Sequence, residues 1–148
     1  MKNSHVLKGK IIQAIDLADD CQSIRFICVG GEKIIAKCDG KCCSRTWIED
    51  ILDPEAAVGV VVVRAVDIDL PSHLQKPTTT SYSEEKMQFY GFAVETVKGR
   101  CTISYRNSSN GYYGGNLVWP GGYFYGGVDG QNKSTQHWRS VVIAGKKQ

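Results

Sequence analysis

Apolar and polar residues alternate along much of this chain, which is the pattern of β-strands that bury one face. Residues 23–29 alternate in this way, with Arg25 on the face opposite the apolar row. Gly30-Gly31 then supplies turn residues before a second apolar run over residues 33–38. This pattern predicts a β-hairpin. Arg25 is expected either to cap a ligand pocket or to be solvated, which is the commoner outcome for an arginine.

Further strand signals follow along the chain. Residues 58–70 begin with a continuous apolar run and then alternate, so we expect a central strand that is buried on both faces at one end. Two long alternating runs joined by Lys98-Gly99 predict a second hairpin, which brings Arg106 to its end. These signals together predict strands over residues 6–16, 58–70, 87–97, 100–105 and 138–144.

One short segment has helical spacing instead. Ser44 is a good N-cap, and the apolar residues after it form a single stripe. Asp53-Pro54 should end the helix, because the residue before a proline is disfavoured in the α conformation. The stripe consists of Trp47, Ile48, Ile51 and Leu52. We therefore expect a mostly β domain of the α+β class, an antiparallel sheet or sandwich-like fold with one short helix near residues 44–57.

The length of the chain fits one domain. A chain of 148 residues buries enough surface to form a hydrophobic core without disulfides or metal sites. Residues 1–148 are therefore predicted to form a single domain. Residues 120–148 also fit the description of a C-terminal extension. Residues 71–85 lack periodicity and form a longer loop than a connection needs. Tyr82 is the aromatic residue of this loop, so it is predicted either to close over a ligand or simply to be exposed.

Residues 105–119 carry the densest set of binding groups. Arg106 follows an alternating strand, and a polar turn and paired tyrosines come directly after it. A guanidinium stacks on a base or chelates a phosphate, and tyrosine offers an aromatic face, so this set suits a flat, anionic ligand. The alternative is purely structural, because Asn110-Gly111 and Gly114-Gly115 are typical hairpin turn dipeptides. The candidate ligand-binding residues in this stretch are Arg106, Asn107, Asn110, Tyr112 and Tyr113.

Charge and composition narrow the classes of partner. The net charge is +3, from 18 basic and 15 acidic side chains, which is far below the excess expected of a protein that wraps a nucleic-acid polymer. No apolar stretch reaches the roughly 18 residues that span a bilayer, and the first residues contain no apolar signal core. We therefore expect a soluble, cytoplasmic protein without a membrane partner.

The chemistry of the side chains favours binding over catalysis. Six cysteines in a cytosolic chain are expected to be thiols. A zinc site at Cys38, Cys42 and Cys43 is a less favoured alternative, because adjacent cysteines rarely chelate one ion and no second knuckle is present. The three histidines are scattered, and no P-loop, GxGxxG or GxSxG motif occurs. We predict no metal, no cofactor and no enzymatic activity.

A known family shares the most specific of these motifs. The run Arg-Asn-Ser-Ser-Asn-Gly-Tyr-Tyr-Gly-Gly at residues 106–115, with Cys42-Cys43-Ser-x-x-Trp47 and Leu-x-Gly-Lys at residues 7–10, resembles the first-described Thoeris anti-defence family of phage proteins. These proteins are sponges that sequester immune nucleotide signals. The resemblance covers roughly residues 7–119 in the order of elements, and residues 120–148 are not matched.

The resemblance implies a function. It implies a homodimer or hexamer in the cytoplasm of an infected bacterial host, which binds glycocyclic ADP-ribose made by TIR-domain enzymes without cleaving it. Some relatives also hold cyclic di- or trinucleotides of the CBASS type at a separate site. The family's pockets lie between protomers, where an aromatic residue and arginines sandwich adenine and amides hold the riboses.

The matched motif transfers these roles to particular residues. Arg106 is assigned by the motif, and Asn107, Asn110, Tyr112 and Tyr113 follow as members of the same run. Arg25 and Tyr82 are assigned by the strand and loop interpretations alone. Two other classes of protein remain as alternatives, a carbohydrate- or surface-binding β module and a phage structural protein.

Overall fold

Two antiparallel β-sheets enclose one core in the computed structural model, which describes residues 5–40, 44–75, 86–109, 114–122 and 137–145. The first sheet has the strand order β8-β3-β2-β1-β9, and the second has the order β4-β7-β6-β5. The prediction of a mostly β, antiparallel, sandwich-like domain is confirmed. The strands are β1 (Ile12–Ala18), β2 (Ser23–Cys28), β3 (Lys33–Gly40), β4 (Arg45–Leu52), β5 (Arg64–Ile68), β6 (Lys86–Thr96), β7 (Gly99–Ser109), β8 (Gly115–Val118) and β9 (Trp138–Ile143).

The core lies between the two sheets and is built from alternate residues of their strands. In β2, Ile24 and Phe26 are fully buried while Arg25 lies on the other face, as the alternation predicts. Trp119 links the two sheets, since its ring stacks on Phe26 at 5.5 Å and packs against Phe92 at 4.9 Å. The predicted β2–β3 hairpin is confirmed, with five consecutive residue pairs in register.

The helix predicted for residues 45–52 is wrong, because these residues form β4. A register shift between Ile48 and Asp50 marks a β-bulge opposite β7. The extra residue moves Ile51 onto the same face as Ile48, so two core-facing positions are three residues apart and imitate helical spacing. The helical part of this region is the short 3-10 helix Pro54–Ala57.

The central strand predicted for residues 58–70 is also wrong. Its β part is Arg64–Ile68, which is β5; among the described strands it pairs with β6 only, at the edge of the second sheet. Gly59 has φ +87°, which breaks the extended conformation, and Val61 makes one isolated bridge to Ile11. The apolar run therefore packs against the segment that precedes β1. The residues before β1 bond to this run, since the Gly9 amide donates to the Val62 carbonyl and the Val62 amide donates to the Lys10 carbonyl. β1 therefore begins at Ile12, whereas the prediction began the strand at residue 6.

The last strand completes the first sheet. The strand predicted over residues 138–144 is confirmed as β9, which pairs with β1 from Ala14 to Ala18. The described part of residues 120–148 thus contributes an edge strand to the sandwich. In the described residues no helix is long and apolar enough to cross a membrane.

His5 links the N-terminal segment to the core. Its ring contacts Trp119 at 4.4 Å and Phe92 at 5.0 Å, and its Nδ1 accepts a hydrogen bond from the Leu7 amide at 3.1 Å. Its Nε2 is buried and has no hydrogen-bond partner among the residues described. Burial therefore lowers the pKa of His5 below its ordinary value.

Acid should destabilise the fold through His5. The unfolded chain takes up the proton first, near the ordinary pKa of 6.5. The stability contributed by neutral His5 is therefore complete above that pH and is lost as the pH falls below it. Between about pH 7.5 and about pH 5.5, wild type should lose more free energy of urea unfolding than His5→Gln, by at most about 1.4 kcal/mol per pH unit. The exposed His137 gives the control variant His137→Gln, which should follow wild type. Equal losses in wild type and His5→Gln would contradict this account.

Candidate functional site

Arg106 lies inside a strand and faces away from the core. β7 continues to Ser109, so Arg106 is not at the hairpin end where it was predicted. Its neighbour Tyr105 points into the core and is 3% exposed, so Arg106 points to the outer face of the second sheet. The Arg106 side chain is nevertheless buried, with 6% exposure, because residues 70–75 cross this face.

Two aromatic residues flank Arg106 across the sheet. Its cross-strand partners are Trp47 on β4 and Phe89 on β6. The Arg106 guanidinium lies 5.0 Å from the centroid of the Phe89 ring, and the Arg45 guanidinium lies 5.7 Å from that of Trp47. Both distances are those of cation–π contacts. We call these four side chains, Arg45, Trp47, Phe89 and Arg106, the aromatic–arginine row.

The hairpin turn decides which residue faces Arg106. The turn lies at Val97-Lys98, since Thr96 pairs with Gly99, and this register puts Phe89 opposite Arg106. The turn predicted at Lys98-Gly99 would put Gly91 there instead. Phe89 is not among the predicted site residues, although the correct turn identifies it from the sequence as the residue opposite Arg106.

A small cleft of about 220 Å³ adjoins Arg106 on the outer face. The Arg106 Nη2 donates a hydrogen bond to the Leu74 carbonyl at 3.3 Å. The Trp47 indole N–H donates to the Glu49 carboxylate at 2.8 Å, which fixes the orientation of that ring. The cleft therefore combines one guanidinium with carboxylates. Its lining includes Glu49, Asp50, His73, Leu74, Ser104 and Arg106.

Asn107 lies on the opposite face of the sheet from Arg106. It is fully buried between its two cross-strand partners. The Thr46 hydroxyl donates to the Asn107 Oδ1 at 2.7 Å, and the Asn107 Nδ2 donates to the Gln88 Oε1 at 2.8 Å. The structure therefore separates Asn107 from Arg106, which the sequence places side by side.

Arg25 belongs to the other sheet. Its guanidinium forms an ion pair with Asp16 at 2.7 Å and lies 4.4 Å from the centroid of the Trp138 ring. It is on the outer face of the first sheet, so the structure does not bring it together with Arg106. The remaining predicted site residues, Tyr82, Asn110, Tyr112 and Tyr113, lie outside the described residues.

A larger cleft of about 420 Å³ opens between the two sheets. Its floor is a stacked pair of tyrosines, Tyr90 and Tyr105, with ring centroids 5.1 Å apart and an interplanar angle of 17°. Burial, together with the nearby Asp67 carboxylate, raises the pKa of Tyr105 well above its ordinary value. Asp67 and Asp69 line the side of this cleft nearest β5.

The cysteines that the structure describes are free thiols, as the sequence predicts. Burial raises the pKa of Cys101 to about 12 and raises the pKa of Cys38 further, so neither thiol is a good nucleophile at neutral pH. Within the described ranges no three His, Cys, Asp or Glu side chains form a cluster that could hold a metal ion. The zinc alternative involves Cys42 and Cys43, which lie outside those ranges.

Comparison with known families places most of the chain in one of them. The family model described as "Domain of unknown function (DUF7448)" matches residues 5–119. This segment includes the whole aromatic–arginine row and both clefts. No curated protein and no solved structure matches the chain.

Removing the Asn107 amide should destabilise the fold. Asn107→Ala leaves the Thr46 hydroxyl and the Gln88 side chain without this buried partner, so we expect the free energy of unfolding to fall by about 1–3 kcal/mol. Urea denaturation measures this loss. The exposed Asn116 gives the matched control, because Asn116→Ala should change stability by less than about 0.5 kcal/mol. A wild-type midpoint for Asn107→Ala would show that the buried amide is not needed for stability.

Proposed function

We propose that this chain, which belongs to the DUF7448 family, binds a cyclic nucleotide signal of the glycocyclic ADP-ribose type and sequesters it without cleaving it. The aromatic–arginine row is the observation that carries this proposal. The resemblance to the Thoeris anti-defence proteins implies a pocket in which an aromatic ring and arginines sandwich adenine. Arg106 over Phe89, with Arg45 over Trp47 beside them, supplies those side chains on one face of the second sheet.

The aromatic rings of the row suit a nucleobase. Trp47 and Phe89 are half-buried, so each ring is held by the sheet while part of it stays accessible. Stacking of a base on an aromatic side chain contributes about 1–3 kcal/mol. A guanidinium stacks on the other face of a base, and Arg106 and Arg45 already lie over these rings. An adenine that entered the row would replace one cation–π contact with two stacking contacts.

Arg106 also suits a phosphate. In the free protein its Nη2 donates to the Leu74 carbonyl at 3.3 Å, which is longer than a good N–H···O bond. A phosphate oxygen carries negative charge and accepts a shorter, stronger bond from a guanidinium. Binding would then exchange the Leu74 carbonyl for the phosphate and move the segment that covers Arg106.

The outer cleft, which adjoins the row at Arg106, suits a ribose. Its volume of about 220 Å³ is below the roughly 300–1,000 Å³ of complete small-molecule sites, so it holds part of a nucleotide. The Glu49 and Asp50 carboxylates on its wall are acceptors for sugar hydroxyls. The resemblance implies that a second protomer completes the pocket, in a dimer or a hexamer in the cytoplasm of the infected host. Light scattering with and without ligand measures that assembly.

Substitutions in the row should weaken binding. Isothermal titration with glycocyclic ADP-ribose isomers should give a tight complex for wild type. Arg106→Gln removes a charge-assisted bond and Phe89→Leu removes a stacking face, so each should weaken affinity by about tenfold or more.

An arginine far from the row supplies the matched control. Arg64 is exposed, and its long contact to Glu95 at 3.4 Å is on edge strand β5. Arg64→Gln should bind like wild type. If it loses as much affinity as Arg106→Gln, the effect is one of general charge and the row is not the site. Urea unfolding of each variant shows that the loss of binding is not a loss of fold.

A further inference from the structure

The cleft between the sheets has a chemistry different from that of the aromatic–arginine row. It lies on the inner side of the second sheet, because Asp67 pairs across the ladder with Phe92, which faces the core. Asp67 and Asp69 are both exposed to the solvent in this cleft. The described residues that line it include no lysine and no arginine. The two carboxylates therefore disfavour a phosphorylated ligand there.

The opposite walls of the cleft are aromatic and bare backbone. Tyr90 and Tyr105 stack on each other, and the Tyr90 hydroxyl accepts a hydrogen bond from the Gly115 amide at 3.3 Å. Gly91 and Gly115 contribute backbone to the lining. A Cβ on Gly115 would lie 2.2 Å from the Thr46 Oγ1, so the wall keeps this shape only with glycine. The result is a preformed cleft of about 420 Å³.

The partly desolvated carboxylate of Asp67, which has no ion-pair partner among the described residues, favours a cationic ligand. The surrounding protein displaces part of its solvent shell and raises the pKa of Asp67 above its ordinary value. Among the residues described, Asp67 makes no ion pair. A neutral ligand that filled the cleft would remove more water from this carboxylate without supplying a counter-charge, which is unfavourable. A cationic ligand supplies that charge and can also lie against the half-buried Tyr90 ring.

We propose that the cleft between the sheets is a second binding site, which takes a small organic ammonium ligand between the Asp67 and Asp69 carboxylates and the Tyr90–Tyr105 pair. The two carboxylates are two residues apart in the chain, which suits a short diamine better than a monoamine. The cleft is too large for a single metal ion. This site is independent of the proposed nucleotide site, since the two lie on opposite faces of the second sheet.

Titration with putrescine, a four-carbon diamine, tests the proposal. Isothermal titration should give saturable binding to wild type that weakens with added salt. In ¹H–¹⁵N spectra the amides of Asp67, Asp69 and Gly91 should shift most. Asp67→Asn and Asp69→Asn should each weaken binding by roughly tenfold or more, because each removes a charge-assisted bond. The control Asp19→Asn removes an exposed carboxylate from the β1–β2 turn and should bind like wild type.

Two matched ligands separate charge from shape. 1,4-Butanediol has the length of putrescine without its charge, and succinate has the opposite charge, so neither should bind. Equal binding of butanediol and putrescine would overturn the proposal, and so would the absence of saturable putrescine binding. If putrescine does not bind saturably, Asp67 is an inward-pointing charge that protects the edge strand β5 from pairing with other chains. The two proposals fail separately, because Arg106→Gln should bind putrescine like wild type even when it no longer binds the nucleotide.

Discussion

The pairing of β6 with β7 is the constraint on which the rest of the structure depends. β7 is the one strand of the second sheet that pairs on one side with β4 and on the other with β6 over its full length. The two-residue turn at Val97-Lys98 fixes that register, and with it the neighbours of Arg106. A shift of the turn by one residue would replace Phe89 by Gly91 opposite Arg106, and the aromatic–arginine row would not exist.

Strand alternation then divides the binding groups between two faces. Along β7, Tyr105 and Asn107 point inward while Ser104 and Arg106 point outward. The inward residues line or support the acidic, aromatic cleft between the sheets, and the outward ones meet the aromatic–arginine row. One strand thereby contributes to two clefts, of which only the outer one has a guanidinium among its described lining residues. The two proposed sites are thus separated by the sheet, and a modest net charge of +3 is compatible with both.

Much of the fold could be predicted from local patterns, and the failures have specific physical causes. The β2–β3 hairpin follows from clean alternation and Gly30-Gly31, both of which act locally. The helix predicted at residues 45–52 fails because the bulge at β4 produces helical spacing in a strand, and only the long-range pairing with β7 distinguishes them. The strand predicted at residues 58–70 fails because Gly59 turns the chain, which places the valines outside a sheet.

The candidate site was only partly predictable. Arg106 has a distinctive sequence context, and its strand placement follows from the alternation before it. Phe89 joins it through the β6–β7 turn, which the prediction misplaced by one residue. Trp47 joins it through the β4–β7 register, which no local pattern contains. Arg25 is of a residue type that often binds ligands. Its guanidinium is instead paired with the Asp16 carboxylate and stacked on the Trp138 ring.

Sequestration without cleavage is the central claim, and the fate of the bound ligand tests it most directly. The wild-type protein is incubated with glycocyclic ADP-ribose, freed of unbound ligand and denatured by heat, and the released molecule is identified by mass spectrometry. The account predicts that the ligand returns intact and in an amount comparable to the protein. Recovery of ADP-ribose or another cleavage product would contradict it and would indicate an enzyme, whereas recovery of no nucleotide would contradict binding itself.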